Sequence, residues 1–71
     1  MMKFNDEYLH IVIGSMFFPD REIQKFWAMT EAKAYVRKFL KTKKHKKEQG
    51  ERTEYIKIIY QDIEVQVNYY E

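Results

Sequence analysis

The sequence predicts an α+β fold, a small antiparallel β-sheet with one amphipathic helix packed on one face. Three observations lead there. Residues 8–17 are rich in β-branched and aromatic side chains, with Leu9, Ile11 and Ile13 at every second position. Residues 31–44 carry an apolar stripe at helical spacing. The last stretch alternates again on both sides of Gln61-Asp62. The expected order is β-β-α-β-β, or β-α-β-β if residues 20–29 coil into the helix.

The first strand places Leu9, Ile11 and Ile13 on one side, and Gly14 is a candidate bulge. Pro19-Asp20 suits the centre of a turn as well as the start of a helix. The hairpin is the stronger reading, because Ile23, Trp27 and Met29 then share a side of the second strand. A loop of Pro19, Asp20 and Arg21 sets Trp27 opposite Ile13 and Met29 opposite Ile11. Thr30 is a good N-cap, with Glu31 behind it in the turn that the helix dipole favours.

In the helix, Ala32, Tyr35, Val36, Phe39 and Leu40 form the apolar stripe. Self-repulsion among the lysines should fray it near residue 44, with Gly50 ending any continuation. Residues 41–53 are therefore expected as a basic loop. In the final hairpin a two-residue Gln61-Asp62 turn pairs Tyr60 with Ile63, Ile58 with Val65 and Ile56 with Val67, all on one face.

Seventy-one residues make one domain, 1–71, whose small core has little stability in reserve. No cysteine is present to staple it or to ligate zinc. The apolar N-terminal stretch contains His10 and follows Asp6 and Glu7, the wrong charge for a signal peptide. No run reaches the length of a membrane span. The expectation is a soluble, cytoplasmic protein without membrane contact.

Catalytic signatures are missing from the pattern. His10 and His45 are isolated, and Ser15 lacks a G-x-S-x-G context. Gly14 and Gly50 form no phosphate-cradling loop. No metal, cofactor or enzymatic activity is expected.

The charge layout is informative. The net charge of +2 conceals eight Lys or Arg and no acid in residues 33–47, against five basic and eleven acidic residues elsewhere, or +8 against −6. Lys33, Arg37, Lys38, Lys41 and Lys44 fall opposite the apolar stripe. Lys43, Lys46 and Lys47 add to the candidate anion-binding set. Like charges four apart destabilise a helix, so a face that only needs water usually mixes signs. A solvated lysine face and an anion-facing surface are the two readings.

A second candidate surface is the sheet face away from the helix, with Tyr8, Phe26, Tyr55, Ile59 and Tyr70 as the exposed apolar set. A binding protein follows, a regulator or inhibitor that occludes a protein partner through the basic helix and the aromatic sheet face. The alternative is a nucleic-acid-binding module using the helix and residues 41–47 for sequence-indifferent phosphate contacts. A homodimer through the sheet is a third expectation. In size, Lys and Tyr richness and lack of cysteine, the chain is similar in style to small phage or mobile-element proteins that act on host machinery; composition identifies no family.

Overall fold

A computed structural model describes residues 5–16, 19–47 and 53–69, with helix side chains as far as residue 42. The order is β-β-α-β-β: β1 (Leu9–Gly14), β2 (Arg21–Phe26), α1 (Met29–Lys47), β3 (Tyr55–Tyr60) and β4 (Ile63–Tyr69). The strands form one antiparallel sheet in the order β2-β1-β3-β4. β1 lies inside it and is buried at every position. That explains its near-continuous apolar sequence, LHIVIG, in which only His10 is polar.

One face of the sheet receives the helix. Leu9, Ile11 and Ile13 from β1 and Ile56 and Ile58 from β3 meet Ala32 and Val36, with Met29, Tyr35, Phe39 and Leu40 packed at the margin. The stripe expected from sequence is thus the buried one. Tyr35 stacks on Phe39 one turn on, at 6.5 Å between ring centroids, and meets Phe26 of β2 at 5.4 Å.

Several expectations are corrected in detail. β2 ends at Phe26, so Trp27 and Met29 do not pair with β1; Ile13 faces Arg21 and Ile11 faces Gln24. The bulge lies at Ile23, which has no partner between Gln24↔Ile11 and Glu22↔Val12, and Gly14 instead closes β1. The helix begins at Met29, with Ala32 N–H donating to the Ala28 carbonyl at 3.1 Å, which puts Thr30 in its first turn rather than at the cap. It also runs to Lys47, so residues 41–47 are helix and not loop. Lysine has good helix propensity and its charge is favourable near the C-terminus, which outweighs the expected repulsion. Residues 48–52 lie outside the described residues.

The β3–β4 hairpin turns at Gln61 and Asp62 and pairs Tyr60 with Ile63, as expected. The register then slips by one residue, because Val65 is bulged. Ile58 faces Gln66 and Ile56 faces Asn68, not Val65 and Val67. Both turn residues have positive φ, 54° and 62°, the combination of a type I′ turn. This twist suits the strands, but glutamine adopts it at a cost.

Replacing Gln61 with Asn, which tolerates left-handed backbone better, should therefore stabilise the fold by roughly 0.5–1 kcal/mol. Urea denaturation of Gln61→Asn beside wild type measures the gain.

Candidate interaction surface

The helix presents Lys33, Ala34, Arg37, Lys38, Lys41 and Thr42 to solvent. Lys33, Arg37 and Lys41 follow one another at four-residue spacing along one flank. None has a described carboxylate within ion-pair distance. Thr42 is turned back onto its own helix, donating to the Lys38 carbonyl at 3.1 Å. The side chains of Lys43, Lys44, Lys46 and Lys47 lie outside the described residues.

The other face of the sheet differs from its expected form. Phe26 is not on it: opposite Leu9 in the ladder, it points to the helix side and packs there. Gln66 and Asn68, which pairing Ile58 with Val65 and Ile56 with Val67 would put on this face, are on the helix side because of the Val65 bulge. Ile59 is on this face but buried, as are His10 and Val12. Tyr8 and Tyr55 are half-buried, and Tyr70 lies outside the described residues. Of the expected residues only Tyr8 and Tyr55 are thus partly open on it, and Tyr69, 72% exposed, meets Tyr55 edge-on at 6.2 Å.

Polar clamps occupy this face instead. His10 Nδ1 meets the Glu22 carboxylate, and its Nε2 meets the Asn5 carbonyl at 2.7 Å. The clamp ties the N-terminal turn and β2 to the central strand.

A second network centres on Lys57 of β3. Its Nζ donates to Glu64 at 2.7 Å and to Asp20 at 3.2 Å, and the Tyr55 hydroxyl donates to Asp20 at 2.6 Å. Burial works to raise the Asp20 pKa. The hydrogen bonds from Tyr55 and Lys57, with the Lys57 charge, outweigh it and hold the carboxyl below its ordinary 3.8. Tyr55 is pushed up, first by its hydrogen bond to Asp20 and then by burial. Lys57 is pushed up by its bond to Glu64, with burial opposing and Asp20 assisting. A tyrosine nucleophile needs the opposite shift, so the network reads as a tether between the β1–β2 connection and the second hairpin.

Gly14 makes room for the tether. A Cβ there would stand 2.5 Å from Asp20 Oδ1 and 2.6 Å from the Tyr55 hydroxyl oxygen.

Sequence reasoning missed the exposed tryptophan. Trp27, expected within a strand, sits at the β2–α1 junction, 68% exposed and 4.4 Å from the Tyr8 ring. Lys25 Nζ lies 4.5 Å from the same Tyr8 ring. Starting the helix two residues earlier, at Met29, and ending β2 at Phe26 leaves Trp27 outside both elements.

No protein-family model matches the chain, and neither the curated proteins nor the solved structures contain a match. No helix among the described residues is long and apolar enough to cross a membrane. Among the same residues no group of three or more His, Cys, Asp or Glu is placed to hold a metal ion.

Two outcomes test the tether. Gly14→Ala should destabilise by roughly 1–3 kcal/mol through overpacking. Combined with Tyr55→Phe it should cost less than the two separate losses together, since both disturb one hydrogen bond; thermal denaturation of the four proteins gives the coupling. For pH, a carboxyl with a lowered folded pKa stabilises the fold above its unfolded value and loses that contribution as pH falls through the folded one. The stability difference between wild type and Asp20→Asn should thus be full at about pH 5 and shrink below 3.8 in urea titrations. At the alkaline end the sign reverses: Tyr55 and Lys57 contribute fully below their ordinary 10.0 and 10.5 and lose that contribution as pH passes their raised values.

Proposed function

We propose that the protein is a non-enzymatic binding module, a regulator or inhibitor that occludes an acidic protein partner with the exposed face of α1. The observation that carries this reading is the row Lys33, Arg37 and Lys41, exposed and without a described carboxylate in reach. Charges on the sheet behave differently. Asp20 and Glu64 share Lys57, and Glu22 meets His10. With these carboxylates engaged internally, the helix supplies the uncompensated field that steers an anionic surface toward it. The exposed Trp27 beside Tyr8 is the residue type that anchors protein interfaces, and takes the place of the aromatic platform expected from sequence.

The same cationic row favours a second reading, contact with nucleic-acid phosphates. One arginine on the row and no adjacent Asn or Gln leave little capacity to read bases. Such binding would be sequence-indifferent and, with about five phosphate contacts, would weaken with a log-log salt slope near −4 to −5.

The test compares wild type with a Lys33→Glu, Arg37→Glu, Lys41→Glu variant, checked for intact fold by circular dichroism. Affinity capture from a lysate should recover acidic proteins with wild type and lose them with the variant. Capture of the same proteins by both overturns the assignment. Titration of mixed-sequence duplex and single-stranded DNA at two salt concentrations should give negligible affinity at physiological salt. Tight binding with the slope above would replace the protein partner by nucleic acid.

A further inference from the structure

Among the described residues the sheet has two edges, β2 and β4, and they are unlike. β2 carries Arg21, Glu22 and Lys25, is bulged at Ile23 and follows Pro19, all features that discourage another strand from pairing. β4 is seven residues long, rich in β-branched side chains, and charged only at Glu64, which Lys57 engages. Its regular part after the Val65 bulge, Gln66–Tyr69, contains no charge at all. Nearby apolar groups are left in solvent: Ile63 is 64% exposed, Val65 43% and Tyr69 72%. In addition, Asn68 Nδ2 is buried without a hydrogen-bond partner. Polar groups in that state are rare and costly.

We infer that the β4 edge is a self-association site at which a second copy of the chain adds antiparallel, joining two sheets into one of eight strands about a twofold axis at Val67. Register follows from the faces. Gln66 and Asn68 share the helix side, opposite Ile58 and Ile56, whereas Val67 lies across from Lys57 on the other side. Residues directly opposite in a twofold antiparallel pair must share a face. Centring on Val67 satisfies this and sets Gln66 across from Asn68 of the second copy, twice. Cβ atoms so placed are about 4.5–5.5 Å apart, within reach of an amide–amide hydrogen bond once the Asn68 amide turns. The orphaned group thereby finds an acceptor.

Charge placement is compatible with this and opposes the other edge. The helix packs over β1 and β2, so in a β4–β4 dimer the two β1 strands are five strand spacings apart, about 24 Å. That is roughly three Debye lengths at physiological ionic strength, and the two basic helices barely sense each other. Pairing through β2 would bring them side by side. The contact is short, and interfaces below about 1,200 Å² belong to the weak class, so a concentration-dependent dimer is expected rather than a permanent one.

Sedimentation equilibrium over a wide concentration range, with wild type and two kinds of variant, tests this. Wild type should shift from monomer toward dimer as concentration rises. Val67→Glu should remain monomeric at every concentration: its carboxylate suits Lys57 across the hairpin within one chain, but opposes its own copy across the twofold. The chain has no cysteine, so Val67→Cys introduces a sole thiol that should oxidise readily to a covalent dimer. Val65→Cys, which this register sets opposite Tyr69, should cross-link several-fold more slowly. A wild type that stays monomeric to millimolar concentration overturns the inference and leaves the edge to a strand from another protein. Dimerisation of Val67→Glu equal to wild type, or equal cross-linking of the two cysteine variants, overturns the register and with it the site.

Discussion

Burial of β1 on both of its faces is the constraint from which the other features descend. Leu9, Ile11 and Ile13 need the helix, and one nineteen-residue helix suffices to cover them. His10 and Val12 need cover on the reverse side, where the described residues place no second helix. Polar side chains from three other strands cross that surface and pair with one another over it. The consequence is a face closed by hydrogen bonds where composition suggested an aromatic one.

That arrangement also settles how charge is partitioned. Asp20 and Glu64 share Lys57, and Glu22 meets His10, so each of these carboxylates has a partner within the fold. Lysines on the helix have no such role, because the apolar stripe already anchors the element. They remain available to water or to an incoming anion. The division between sheet carboxylates with partners in the fold and helix cations without a described carboxylate in reach is what makes a binding role the best-supported proposal.

The fold class and the identity of the packed helical stripe were legible in the sequence, since both rest on periodicity. Ala32, Val36 and the β1 residues Leu9, Ile11 and Ile13 lie where the alternation requires. The misplaced faces share one cause, the insertion of a single residue. Bulges at Ile23 and Val65 leave the pattern intact on each side but reverse which face it addresses. Phe26, Gln66 and Asn68 changed sides for this reason, and no local composition signals it: Ile and Val are ordinary strand residues. Ile59 was placed on the correct face, yet its burial depends on cover contributed by distant segments. The basic flank of Lys33, Arg37 and Lys41 could be read directly because it needs only the helical repeat. Continuation of the helix to Lys47 could not, because propensity and charge repulsion pull in opposite directions there.

The adjacency of β1 and β3 has a kinetic side. Each hairpin, β1–β2 and β3–β4, joins neighbours in sequence and can zip up quickly by itself. The seam between them links Gly14 with Tyr55 and cannot form until the whole helix and its flanking connections have been gathered into a closed loop. The slow step of folding should therefore be the meeting of the two hairpins, with α1 condensing as they join. Loop closure grows only as the logarithm of length, so lengthening the α1–β3 connection should slow that meeting very little.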